Sequence, residues 1–130
     1  MSPGQSVQQQ NAAAKAEMRL LAMLFNSRPS AYAWLVSVLE AHGHGIKSGV
    51  LVSLHEIPEQ EGSLFSGMWL TMAHEFWEFS VMVSRSDGAL LEVEQFENVT
   101  PTVPLNAHVR GTGQSFGHLA HQVLNEIHGG

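Results

Sequence analysis

Glu75-Phe76-Trp77-Glu78-Phe79-Ser80-Val81-Met82-Val83-Ser84-Arg85-Ser86-Asp87-Gly88-Ala89-Leu90-Leu91-Glu92-Val93-Glu94-Gln95-Phe96 is the stretch on which the fold turns. Trp77, Phe79, Val81 and Val83 alternate with Glu78, Ser80 and Met82, the period of a strand that buries one face. Ala89–Phe96 repeats the pattern, with Leu91 and Val93 set against Glu92 and Glu94. Ser86-Asp87-Gly88 between them has the length of a three-residue hairpin loop, and Gly88 supplies the left-handed residue such a loop needs. Pairing Arg85 with Ala89 then puts Val83 opposite Leu91 and Val81 opposite Val93. On the other face Met82 lies by Glu92, Ser80 by Glu94 and Glu78 by Phe96. A slip of one residue would mix Leu91 and Val93 with Glu78 and Ser80, so the hydrophobic pattern favours this register.

Outward from the hairpin, Leu64–Thr71 reads as a preceding strand, joined through Met72-Ala73-His74. Ile46–Leu54 is Val-rich and reads as the first strand, ending at His55-Glu56-Ile57-Pro58, with Glu59-Gln60-Glu61-Gly62 as a turn. Upstream, Asn11–Asn26 is rich in helix formers and carries Met18, Leu21 and Phe25 at helical spacing. Ser27-Arg28-Pro29-Ser30 breaks it, and Ser30 is placed to cap a second helix, Ala31–His42. Gly43 falls where a left-handed helix terminator belongs. Downstream, Pro101 and Pro104 predict an extended crossing, and Ser115–Ile127 a last helix with Phe116, Ala120, Val123, Leu124 and Ile127 on one face. The order predicts an α+β domain over residues 11–130: two helices, a four-stranded antiparallel meander, and a C-terminal helix packed on the sheet. Residues 1–10 read as a disordered lead.

The chain has 130 residues, 44% hydrophobic and only 14% charged, and no cysteine. That excludes a disulfide framework, a thiolate metal site and a thiol nucleophile. The polar N-terminus and the lack of a long apolar run predict a cytoplasmic protein with no membrane span. The net charge of −6 hides a split. Between residues 50 and 100 nine carboxylates face Arg85 alone, a formal −8. The remaining three carboxylates face five Lys and Arg, a formal +2. An acidic centre repels phosphate backbones and anionic bilayers, so nucleic acid and membrane are excluded as partners. A basic protein is the natural complement.

Eight histidines raise the question of metal. His118, His121 and His128 share a helix side with Gln114, Gln122 and Asn125, which reads as its solvent face. Neither His55-Glu56 nor His74-Glu75 is followed by the second His of a zincin helix. No metal or cofactor is expected. Arg110-Gly111-Thr112-Gly113 could cradle an anion before a helix, but it lacks both phosphate-loop signatures, and a tight turn that lets Ser115 cap the helix is the favoured reading. Glu78 and Glu94 would be neighbours on the sheet. Without a cleft to desolvate one of them they make no acid–base pair. No nucleophile elbow or triad signature occurs, and the protein is expected not to be an enzyme.

The constellation that remains is a surface. The face bearing Glu78, Glu92 and Glu94 also carries Phe76, Met82 and Phe96, and the second strand adds Trp69 and Phe65, or Met68 and Leu70, according to register. Helices covering both faces would bury these aromatics and leave the glutamates at a rim. Left open, large apolar groups ringed by carboxylates would make an anchor for a basic partner, extended by Glu56, Glu59 and Glu61.

The motifs Leu54-His55-Glu56-Ile57-Pro58, Gly67-Met68-Trp69-Leu70, Glu75-Phe76-Trp77-Glu78-Phe79 and Asp87-Gly88-Ala89-Leu90-Leu91-Glu92-Val93-Glu94, with Asn98-Val99-Thr100-Pro101 and Arg110-Gly111-Thr112-Gly113-Gln114-Ser115-Phe116 after them, carry a further signal. Over about residues 46–128 this texture resembles the small acidic immunity proteins of bacterial polymorphic toxin systems. The resemblance implies a small cytoplasmic α+β protein that binds and blocks one cognate toxin or effector domain. A secretion or adaptor chaperone of similar size and acidity is the alternative, and a small enzyme with an unrecognised site the third.

Overall fold

A computed structural model describes residues 7–100 and 116–129. The first helix, α1, spans Val7–Ser27 and so begins four residues before the expected start. Gln is a good helix former and neither Gly nor Pro interrupts this stretch, so nothing local stops the helix at Asn11. Val7–Gln10 is thus helical, and the rest of the expected lead lies outside the described residues. Pro29 opens a 3-10 turn, Pro29–Tyr32, ahead of α2, Ala33–Ala41. Ser30 therefore falls inside the turn and is not an N-cap, and neither N-cap residue, Arg28 or Tyr32, makes a side-chain capping bond. Beyond α2, Gly43 has φ 84°, the expected left-handed terminator.

Another 3-10 turn, Ile46–Ser48, leads into β1, Gly49–Pro58. Then come β2 (Gly62–Thr71), β3 (Phe76–Ser84) and β4 (Leu90–Asn98), all antiparallel in the order β1-β2-β3-β4. The last helix, α3, spans Phe116–His128. The expected α+β meander is the observed one. The proline crossing, the Arg110–Gly113 loop and Ser115 lie outside the described residues.

The β3–β4 turn keeps the expected left-handed Gly88 but closes one residue earlier than expected, at Ser84–Ala89 instead of Arg85–Ala89, which makes it a four-residue loop, Arg85–Gly88. Gly88 has φ 72°, its N–H donates to Ser84 O at 2.9 Å, and Ser84 N–H donates to Ala89 O at 2.8 Å. The register beyond it differs. Met82 faces Glu92 and Val81 faces Val93 as expected, but bulges at Leu91 and Glu94 shift the remainder. Val83 pairs with Leu90, Ser80 with Gln95, Phe79 with Phe96 and Glu78 with Glu97. Phe96 moves by one place, to the opposite face from the one expected. There it stacks on Trp77 at 5.2 Å, burying a ring that strict alternation would leave in water.

The sheet divides two apolar clusters. On one face α1 and α3 cover β1 and β2, where Met18, Ala22, Leu119, Ala120, Val123 and Leu124 meet Val50, Val52, Leu70 and Phe76. On the other, Trp34, Leu35, Val38 and Leu39 of α2 cover Leu51, Trp69, Phe79, Val81 and Val83. Each fully buried aliphatic side chain contributes about 1.5–3 kcal/mol. The helix α1 serves both, since Phe25 at its C-terminal end belongs to the α2 side and lies edge-on to Trp69 at 5.6 Å. A bulge at Val52 lets β1 do the same, with Val50 and Val52 facing α1 and α3 while Leu51 and Leu54 face α2. β2 tolerates no side chain at Gly67, where a Cβ would overlap the Ser53 carbonyl and meet the Phe79 ring at 2.9 Å, nor at Gly62, where it would overlap the Val83 carbonyl.

Lys15 and Arg19 of α1 both bind Glu126 of α3, Arg19 Nε at 2.7 Å, which pins the two helices together over the sheet. These cations, Arg19 first, hold the Glu126 carboxyl below the usual glutamate range.

Candidate protein-docking surface

The helix pair α1 and α3 covers only the β1–β2 end of its face. Cross-strand pairing lays out the rest as three rows. Ser53, Met68, Glu78 and Glu97 form the row nearest the helices. His55, Ser66, Ser80 and Gln95 form the next, and Ile57, Leu64, Met82 and Glu92 the outermost. At its β1 end the middle row meets α1, where His55 shares a recess with Ala14, Glu17 and Met18, and the outermost row lies beyond it. Ile57 is half exposed at 50%, and Leu64 and Met82 are partly exposed beside it. The β1–β2 turn reaches the same place, since Glu59, Gln60, Glu61 and Met82 line a recess of about 330 Å³. An apolar strip of Ile57, Leu64 and Met82 is thus bordered by Glu59, Glu61 and Glu92, with Glu78 and Glu97 across the serine row.

Glu78 and Glu97 lie directly opposite one another. Gln95 mediates between them, as its side-chain amide donates to Glu78 Oε1 at 2.9 Å and to Glu97 Oε1 at 2.6 Å. One amide shared between two carboxylates orients them without neutralising either. No Lys or Arg among the described residues pairs with any glutamate of this face. Lys15 and Arg19 are spent on Glu126. Arg85, the single cation of the acidic module, donates to the main-chain carbonyls of Gly62, at 2.8 Å, and Glu59. It braces the β1–β2 turn against the β3–β4 turn and neutralises no carboxylate.

The residues expected to form the docking surface divide three ways. Glu59, Glu61, Glu78, Met82 and Glu92 are brought together on the open face, and Glu94 stands exposed at the β4 bulge beside them. Trp69 and Phe76 are buried in the two cores, at 0% and 2% exposure, and present nothing to a partner. Glu56 and Phe96 face α2 instead. Glu56 accepts the Ser63 hydroxyl at 2.5 Å, in a recess lined also by Trp34 and Phe65. The β2 alternative resolves with Met68 on the docking side and Phe65 and Trp69 on the other. Ile57, Leu64, Gln95 and Glu97 were missing from the expected set. The run Ile57–Pro58 reads as a strand end followed by a turn, and Gln95–Glu97 changes face only because of a bulge that no Gly or Pro marks.

Comparison with known proteins returns no match. That holds for family models, for curated proteins and for solved structures alike.

Five of the described histidines make structural contacts. His121 is half-buried, donates to Gly117 O at 2.8 Å and stacks on His74 at 4.9 Å, so it does not lie on a solvent face. His128 donates to Gly49 O at 2.8 Å. His42 lies over the Phe96 ring at 4.2 Å, and His44 is edge-on to Trp77 at 5.0 Å. Among the described residues no three His, Asp or Glu side chains converge on a point that would hold a metal ion. Glu94 is not the cross-strand neighbour of Glu78, so the pair of carboxylates considered for acid–base chemistry is replaced by Glu78 and Glu97 on an open sheet face. No helix of the described chain is long and apolar enough to cross a membrane.

Proposed function

We propose that this chain is an immunity-type inhibitor that docks a basic toxin or effector domain on the open sheet face. One observation carries the reading: an exposed apolar strip, Ile57–Leu64–Met82, is bordered by carboxylates that have no counter-ion among the described residues. Interfaces are built this way, with an apolar centre for affinity and a charged rim for steering and register. A basic surface would supply the missing counter-ions, and toxins acting on phosphate-bearing substrates carry such surfaces over their active sites. Coverage of that surface excludes the substrate without any chemistry by the inhibitor.

The test begins with co-purification from the native host to obtain the partner. Replacing Glu78, Glu92 and Glu97 together by Gln is then expected to slow association at least about tenfold at low salt and far less at high salt. An association rate that stays unchanged at low salt removes this face from the interface and with it the reading.

A further inference from the structure

β4 is one of the two outer strands of the sheet, and among the described residues it pairs with β3 alone. Val99 N–H donates to Phe76 O at 2.8 Å. The alternation of an antiparallel strand then turns the main chain of Glu97 and Gln95 toward β3, and that of Phe96 and Asn98 outward. Leu91–Glu94, Glu97 and Asn98 are exposed, Leu91 at 53% and Val93 at 41%, while Leu90, Gln95 and Phe96 are half-buried. Such an edge is a template for another strand unless something guards it. The guards here are the two bulges and the charges of Glu92, Glu94 and Glu97. Carboxylates guard selectively. A second copy laid along β4 would bring glutamate against glutamate, which destabilises a cross-strand pair, whereas Lys or Arg opposite the same positions stabilises it. Between the Glu94 bulge and the end of the strand, Gln95–Asn98 keeps regular pairing, with the main chain of Phe96 and Asn98 turned outward.

From this edge we infer that the partner adds an extended segment of its own to β4 as a fifth strand, alongside Gln95–Asn98. The segment carries Lys or Arg on the face shared with Glu97 and Gln95, and β-branched or aromatic residues on the face shared with Phe96. Main-chain bonds give such an addition its affinity and the alternating side chains its specificity. The inference rests on the docking reading above and specifies how the partner is held at one margin of that face.

The full chain, labelled with ¹⁵N, is titrated at low salt with a nonapeptide of alternating Lys and Val, and in parallel with one of alternating Glu and Val. The Lys peptide is expected to slow amide exchange at Phe96 and Asn98 about tenfold or more and to leave Gln95 and Glu97, already bonded to β3, little changed. The Glu peptide is expected to do neither, and Glu94→Lys with Glu97→Lys to abolish the effect of the Lys peptide. Binding of the Lys peptide that shifts Leu64 and Met82 but leaves Phe96 and Asn98 unprotected overturns the fifth strand while leaving the docking face intact. Equal protection by both peptides, or protection that rises with protein concentration alone, overturns the basic-segment partner. No binding of the Lys peptide overturns the inference outright. The kinetic test on the isolated partner fails or succeeds independently of these outcomes.

Discussion

His44 shows how one side chain ties a loop to the sheet. It follows the left-handed Gly43, and its ring lies against Trp77 at 5.0 Å and Phe96 at 5.8 Å. Burial there, the largest influence, pushes the imidazole pKa below its usual 6.5; Glu75 pulls it back and the neighbouring His42 pushes it further down. The unfolded chain therefore takes up this proton at a higher pH than the folded one. Between about pH 6.5 and the lower folded value, stability falls as pH falls, and below the folded value the loss levels off. His44→Phe keeps a ring against Trp77 without a titrating nitrogen. Its Tm is expected to fall less than the wild type's between pH 7.5 and pH 5, and equal slopes would show that His44 does not contribute. Gly43 and Gly88 were legible in the sequence because only a left-handed residue fits where they stand. His44 was not, because its contact depends on which face Phe96 takes. His74 was hidden for a related reason: it has φ 65° in a loop without glycine, held by Glu75 N–H donating to Thr71 Oγ1 at 3.0 Å.

At the scale of elements, periodicity finds the strands and the turns decide how far a register can be trusted. Pairing follows the expected register only at Met82–Glu92 and Val81–Val93, since a bulge at Leu91 already sets Val83 against Leu90 beside the turn. It fails beyond Glu94, where a bulge trades regular pairing for burial of Phe96 on Trp77. A bulge without Gly leaves no local mark, so Gln95 and Glu97 could not be placed on the docking face from sequence alone. The two turns at the far end of the sheet are also joined in a way that composition conceals. Amid so many glutamates Arg85 reads as a counter-ion, yet its guanidinium grips two main-chain carbonyls, of Glu59 and Gly62. Arg85→Met is expected to cost about 1–2 kcal/mol in denaturant unfolding, the worth of charge-assisted bonds that remain partly hydrated. Both bonds come from the one Nη2 atom. Arg85→Lys should recover only part of the loss, because the planar guanidinium is pre-organised whereas the flexible lysine stem must be ordered to hold its ammonium between the same carbonyls. Full recovery by Lys would mean that charge, and not the geometry of the brace, is what the position requires.

On the scale of the whole molecule, the surface suited to a basic partner works against the free protein. The strands and their turns carry a formal −8 that Arg85 does not locally relieve, and Glu78 and Glu97 share a single amide. Like charges held together in the fold and dispersed in the unfolded chain lower stability, and salt screens them over a Debye length of about 10 Å at 0.1 M. The same substitutions should therefore move stability and association in opposite directions. Replacing Glu78, Glu92 and Glu97 together by Gln is expected to stabilise the isolated protein by a few tenths to about 1 kcal/mol, raising Tm by roughly 2–5 °C at low ionic strength. Adding sodium chloride to 0.5 M should raise the Tm of the wild type toward that of the variant and change the variant much less, so the two curves converge. If the variant instead melts lower than the wild type at low salt, the carboxylates are structural. Their bonds to Gln95 would then outweigh their repulsion, and the acidic face would be explained by the fold without a partner.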